Sequence, residues 1–193
     1  MNLQRRTLVI LVSLFLAPFL RAEGEKAREE IKFPSPDGKF ALRLFTDHAN
    51  GRAETTIVRS PGHALVVDLD DRGAPYIWEK KLVWSPDSQR VAYFAPDRRG
   101  GTTTAYFRKR DSFEQIELPD LPSPKFAKKT PEACQIVWHV DQPVRWLKSG
   151  SLLIYSAIED ECENEAAAEI TIAFDKSNEP SVLKVTKTGV RRK

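Results

Sequence analysis

The sequence predicts an all-β fold built from about three antiparallel, four-stranded, blade-like repeats in a propeller-like arrangement. Two stretches, "IKFPSPDGKFALRL" from Ile31 and "LVWSPDSQRVAYFA" from Leu82, share the order strand, Ser-Pro-Asp turn, strand. Further runs of strand length follow each of these hairpins, and helical periodicity is nearly absent. Four short strands per repeat are typical of the blades of a β-propeller, but this pattern does not decide whether the blades close into a ring.

The first segment, residues 1–22, has the features of a secretory signal peptide. Arg5 and Arg6 precede an uncharged apolar run over residues 7–20, and Ala22 is a small residue at a suitable cleavage point. The alternative is a transmembrane anchor, but this run is shorter than the ~20 residues that a helix needs to cross a bilayer. We therefore expect a periplasmic or secreted protein with no stable membrane span after signal removal.

The expected mature chain is formally neutral. Of the 30 lysines and arginines, three lie in residues 1–22, which leaves 27 against 27 acidic residues. A neutral chain gives no reason to expect nucleic acid or an anionic membrane as partner. We expect a linker at residues 23–30, one domain at 31–188 and a basic tail at 189–193.

The repeat unit is defined by its turn. The two turns align without a gap and comprise Ser35, Pro36, Asp37 and Gly38, and Ser85, Pro86, Asp87 and Ser88. Proline presets one turn angle, aspartate bonds to nearby amides, and glycine or a small polar residue takes the left-handed corner. A weaker third copy, "VRWLKSGSLLIYS", aligns Trp146 with Trp84. The repeats therefore span about 31–70, 82–119 and 144–187.

The strands are predicted from apolar and β-branched runs. Those that flank or follow the turns cover 40–45, 55–59, 65–68, 90–94, 103–108, 113–118, 151–158, 170–174 and 182–186. The connection between the second and third repeats contains one extra predicted strand, 135–140. The run "NEAAAEI" at 164–170 is too short for an independent helix and is expected to lead into a strand.

The segments "WSPDSQRVAYFA" and "SPDGKF" resemble the Trp-Ser-Pro-Asp-Gly-Lys repeats of the TolB-type β-propellers. The resemblance covers 31–46 and 82–95, with a weaker match at 144–156. It implies a periplasmic or secreted scaffold whose loops bind protein or small ligands, and it supplies no catalytic residue. Closed propellers have four or more blades. Three arrangements remain: a fourth sheet improvised from 135–140, an open stack of sheets, or a half-ring that self-associates with a second chain.

The two cysteines, Cys134 and Cys162, form a candidate disulfide, because an even pair in an oxidising compartment favours a bond. The alternative is two buried thiols. Cys162 lies in "IEDECENEAAAE", and such an acidic, solvated segment argues against burial.

The sequence predicts no catalytic, cofactor-binding or metal-ligating residue, and no cofactor. His48, His63 and His139 are far apart in the chain, and the common hydrolase, zinc and phosphate-binding motifs are missing from the sequence. Asp68, with Asp70 and Asp71 after it, resembles a calcium loop only faintly, because the distal glutamate is missing. We interpret it, and the acidic segment "EDECENE", as charged turns.

Two further groups of residues are given structural roles. The basic stretches around Arg98 and Arg108 include aromatics that would suit an anionic ligand. We favour the interpretation that residues 98–101 form a hairpin tip and that residues 106–110 form one strand with an inner and an outer face. The four tryptophans, Trp78, Trp84, Trp138 and Trp146, follow the repeat and are expected to pack between sheets.

These observations favour an exported, non-enzymatic binding or interaction module, with a protein or small ligand as its partner. The alternatives are an enzyme or enzyme accessory with a site on its loops, and a structural protein of the cell envelope. A ligand bound beside a histidine and an acidic residue would favour the enzyme.

Overall fold

A computed structural model describes residues 27–69, 80–126 and 134–189. This part of the chain is all-β and contains no helix. Its twelve strands are β1 (Arg28–Lys32), β2 (Phe40–Asp47), β3 (Arg52–Arg59), β4 (Leu65–Asp68), β5 (Lys81–Trp84), β6 (Arg90–Asp97), β7 (Gly100–Lys109), β8 (Ser112–Ile116), β9 (Ile136–Trp146), β10 (Leu152–Asp160), β11 (Glu165–Phe174) and β12 (Pro180–Thr188). The sheets curl and form a half-barrel.

The strands fall into three antiparallel groups of four, each in chain order. Unit 1 is the sheet β1 to β4, unit 2 comprises β5 to β8, and unit 3 comprises β9 to β12. Units 2 and 3 share one sheet, because β7 pairs in parallel with β9 where Gly100 lies opposite His139 and Gly101 opposite Val140. The predicted strands overlap these elements, but the predictions at 113–118, 135–140 and 151–158 extend one or two residues beyond β8, β9 and β10. Residues 165–170 of the run at 164–170 belong to β11.

Two details of the third repeat differ from the prediction. The expected extra strand at 135–140 is the first part of β9, which continues through Pro143 to Trp146. Pro143 is accommodated at a register shift in the β9–β10 ladder, and such irregularities tolerate a residue without an N–H group. The third turn is also one residue shorter: Trp84 lies opposite Val91, whereas Trp146 lies opposite Leu152 rather than Leu153.

The two Ser-Pro-Asp turns have matching hydrogen bonds. The Ser35 hydroxyl donates to Asp37 at 2.7 Å, and the Ser85 hydroxyl donates to Asp87 at 2.6 Å. Each aspartate also accepts the main-chain N–H two residues later, from Lys39 at 3.1 Å and from Gln89 at 3.0 Å. The corner residues, Gly38 and Ser88, both have a left-handed backbone, with φ of 69° and 57°.

Replacing Asp87 with alanine is expected to lower the free energy of unfolding by about 1 kcal/mol, because two local hydrogen bonds are lost. Burial raises the pKa of the Asp87 carboxyl, but hydrogen bonds from Ser85 and Gln89 and the charge of Arg90 outweigh it, so the pKa lies below its ordinary value. The contribution of ionised Asp87 to the free energy of unfolding is therefore fully present above the unfolded-state pKa of about 3.9. It is lost as the pH falls through the folded-state pKa.

Urea unfolding at pH 7 and pH 2.5 measures this contribution. The difference in stability between wild type and Asp87→Ala should shrink at the lower pH. Asp120→Ala, which changes an exposed aspartate after β8, serves as the matched control and should leave stability nearly unchanged. An Asp87→Ala protein with wild-type stability at pH 7 would contradict the role of Asp87 in the turn.

The three units pack face to face through alternate residues of their second strands. In β2, Phe40, Leu42 and Leu44 point to unit 2, where they join Val91 and Tyr93 of β6 in one buried cluster. The next residues of β6 point the other way. Ala92 packs with Leu152, Ile154, Ile170 and Ile172 of unit 3, and Phe94 packs with Val140, Tyr155, Ala157 and Ala167. Successive residues of a strand point to opposite faces, and those of β6 are buried on both, so unit 2 is covered by unit 1 on one face and by unit 3 on the other.

The same tryptophan contact links both pairs of neighbouring units. The indole N–H of Trp84 donates to the carbonyl of Phe33 in unit 1 at 2.7 Å. That of Trp146 donates to the carbonyl of Val83 in unit 2 at 2.9 Å. Phe33 and Val83 occupy equivalent positions, two residues before the serine of their turns. The tryptophan is therefore a repeated link between sheets, and unit 1 has Pro34 in its place.

The predicted disulfide is present. Cys134 and Cys162 are bonded with a Cα–Cα distance of 5.8 Å, within the normal range. Cys134 precedes β9, and Cys162 lies in the turn between β10 and β11. The bond therefore ties the start of unit 3 to the far end of its central hairpin.

Candidate functional site

The three histidines lie at separate places. His48 is in the turn between β2 and β3, and His63 lies in the turn between β3 and β4, so they are at opposite ends of β3. The Nδ1 atom of His63 lies 3.4 Å from a Glu29 carboxylate oxygen. His139 is on β9 in unit 3. The structure therefore does not bring the histidines together.

His139 does have a carboxylate beside it. Its Nε2 atom lies 3.2 Å from an oxygen of Asp141, two residues along the same face of β9. Ser156 of β10 lies opposite Asp141 in the ladder. Its side chain is fully buried, and its hydroxyl forms no hydrogen bond with any described residue. A nucleophilic serine must bond to its histidine and reach substrate, and the geometry of Ser156 provides neither.

The acidic residues have local structural roles. Asp160, buried at the end of β10, accepts N–H bonds from Cys162 and Asn164 at 2.9 Å and so shapes the turn that carries the disulfide. Asp68 ends β4 near Tyr106 of unit 2; burial, and then the charge of Asp68, raises the pKa of Tyr106 to about 12. Asp70 and Asp71 lie outside the described residues. The described ranges contain no cluster of three or more His, Cys, Asp or Glu that could hold a metal.

The basic stretches do not form one continuous patch. Arg98 and Arg99 form the tip between β6 and β7. Arg108 bonds to Asp37 of unit 1 at 3.1 Å and lies over the ring of Phe40, 4.8 Å from its centroid. Lys109 pairs with Glu114. Arg108 therefore links sheets and is not available to a ligand.

The tryptophans also pack between sheets. Trp84 and Trp146 link the units, and Trp138 packs against the Phe94 cluster. Trp78 lies outside the described residues.

The feature that sequence reasoning missed is the outer edge of β12, here called the β12 edge (Pro180–Thr188). Its nine residues make β12 the longest strand at a sheet edge in the described part of the chain. Three of its apolar side chains are exposed: Val182 by 37%, Leu183 by 65% and Val185 by 46%. Among the described strands β12 pairs with β11 alone, and in an antiparallel ladder alternate main-chain groups of such a strand point away from that neighbour.

The β12 edge is also basic. Residues 181–193 contain Lys184, Lys187, Arg191, Arg192 and Lys193 and no carboxylate. Lys184 and Lys187 are exposed on the strand. Leu183 occupies a register shift against β11, so the regular part of the edge runs over 184–188. The run of basic residues was the one sequence signal for this surface.

Comparisons with known proteins do not assign the chain. No family model matches the sequence, and no curated protein matches it. Within the part of the chain that the structure describes, we find no apolar helix of membrane-spanning length.

Proposed function

We propose that this protein is an exported, non-enzymatic interaction module on a TolB-like, propeller-like scaffold, located in the periplasm or secreted. The observation that carries the proposal is the β12 edge, an exposed strand of nine residues with three exposed apolar side chains. Such an edge accepts an extended segment from another protein as an additional strand. The apolar run of residues 7–20 and the disulfide support export.

The packing of the units supports a scaffold. The same indole bond joins unit 2 to unit 1 and unit 3 to unit 2, which is the behaviour of a repeated structural module. Pairing with β11 along its length orders β12 before a partner binds, and this lowers the entropic cost of binding.

An enzyme with a loop-borne site is the second candidate, and the His139–Asp141 pair is the observation that favours it. A carboxylate that orients a histidine is the usual support of a general base. The buried Ser156 does not complete a nucleophile, so in this candidate His139 would act as a general base that takes a proton from an attacking water molecule.

A combined capture and activity experiment separates these candidates. The exported chain is recovered from cells, cross-linked within an envelope fraction and purified, and the same preparation is assayed with a panel of ester, peptide and glycoside substrates. We expect reproducible capture of an envelope protein above a tag-only control, and no turnover. Turnover that His139→Ala and Asp141→Asn both abolish, without captured protein, would replace the interaction module with the enzyme.

A further inference from the structure

We propose that the β12 edge binds an extended, acidic segment of another protein, which pairs with residues 184–188 as an additional strand. This inference rests on the proposed function and names the chemistry of the partner. Three observations lead to it: the position of β12 in the sheet, the identity of its exposed side chains, and the distribution of charge near the C-terminal end of the sequence.

Position determines where pairing can occur. β12 ends the strand order of its sheet, with β11 on one side. The register shift at Leu183 interrupts the edge, because such irregularities disturb pairing. Beyond it, Lys184 to Thr188 lie in regular register with residues 167–171 of β11. A partner strand therefore has a straight edge of five residues to pair with.

The exposed side chains determine what the partner carries. Val185 is exposed by 46% beside Ile170, which belongs to the core between units 2 and 3. A partner strand with an apolar residue opposite Val185 would cover Val185 and extend that core outward. Lys184 and Lys187 point to opposite faces of the sheet, since they are three positions apart along the strand. A carboxylate on either face of the partner strand could therefore pair with a lysine of β12.

Charge distinguishes a foreign strand from a second copy of this chain. Two β12 strands paired with each other would bring four lysines into one ladder without a carboxylate, and like charges across a ladder are destabilising. Lysine on an edge strand is a common protection against self-pairing. An acidic strand replaces this repulsion between lysines with attraction between carboxylates and lysines. The surface that discourages self-association therefore favours an acidic partner.

The test uses the exported full chain and a synthetic peptide, acetyl-Ser-Thr-Glu-Thr-Val-Glu-Val-Thr-Ser-amide. Its two glutamates are three positions apart and so lie on opposite faces of the strand, and in antiparallel pairing a valine between them can lie opposite Val185. Fluorescence anisotropy measures its binding, and hydrogen exchange locates it. We expect saturable binding that weakens as salt increases, together with slower exchange of main-chain amides within 184–188. The matching peptide with lysine in place of glutamate should bind at least tenfold more weakly.

A charge reversal makes the test specific. Lys184→Glu combined with Lys187→Glu should weaken binding of the acidic peptide at least tenfold and should increase binding of the lysine peptide. Lys39→Glu combined with Arg98→Glu, which makes the same change in net charge in units 1 and 2, should retain the wild-type preference. Both pairs replace exposed side chains, and a thermal melt of each variant verifies its fold.

Several results would overturn the inference. These are no binding of the acidic peptide, equal binding by the charge-reversed variant, or protection located away from residues 184–188. Binding of phosphatidylglycerol vesicles without the peptide would indicate a membrane surface instead. Slower exchange in 184–188 that appears on concentration alone would indicate a second copy. An envelope protein captured equally by wild type and the charge-reversed variant would preserve the interaction module and reject the acidic strand.

Discussion

Replacing Gly100 with alanine is expected to lower the free energy of unfolding by about 4 kcal/mol. A loss of this size is typical of substitutions that severely disrupt the backbone or the core. Gly100 has a φ of 132°, and a Cβ atom added to it would lie 1.7 Å from the carbonyl oxygen of His139. That oxygen belongs to the main chain of β9, which pairs with β7 at this point. Because the clashing atom belongs to the main chain, the clash can be relieved only if the two strands separate. Units 2 and 3 would then lose the β7–β9 pairing that joins them in one sheet.

Chemical denaturation and hydrogen exchange measure this effect. Amides near His139 in β9 and Gly101 in β7 should lose protection before those of unit 1. Gly51→Ala is the matched control, because Gly51 also has a positive φ, 61°, but nothing lies within 4 Å of its added Cβ. Gly51→Ala should lower the free energy of unfolding by only about 1 kcal/mol, which is the cost of placing alanine in the left-handed conformation. Equal losses for the two variants would show that the contact with β9 is unimportant.

Removing the disulfide with Cys134→Ser and Cys162→Ser together is expected to lower stability by about 3 to 4 kcal/mol. The two cysteines are 28 residues apart, and the bond stabilises mainly by restricting the unfolded chain, so this value follows from the loop length. Strand content at ambient temperature should remain largely intact, because the β9–β10 and β10–β11 ladders do not depend on the bond. Guanidinium unfolding and far-UV circular dichroism measure the two quantities.

Thiol titration and reduction provide the internal controls. The natively folded, oxidised protein should carry no titratable thiol, since both cysteines are bonded. Dithiothreitol should lower the thermal midpoint of the wild type and leave that of the double variant unchanged. Two titratable thiols in the oxidised, folded protein would contradict the bond.

Much of the local structure could be predicted from the residues. The Ser-Pro-Asp turns are specified by contacts within five residues, for example the Ser35 hydroxyl that accepts the Phe40 amide at 3.0 Å. The cysteine pair was predictable from compartment and number. The third repeat was predicted less well, because it lacks Ser-Pro-Asp, and its turn is closed by Ser149 and Ser151 instead. Its register differs by one residue for that reason.

The candidate site depended on contacts that no local pattern contains. The sequence by itself determined the all-β class, the positions of the turns and most strands, because alternation and turn chemistry act over a few residues. The tertiary structure alone decided that β9 meets Gly100, that Trp146 bonds to Val83 across the sheets, and that β12 has β11 as its neighbour in the ladder. Whether a strand such as Val182–Thr186 is covered or open is a property of its neighbours, which are distant in the chain, and so its own residues cannot specify it.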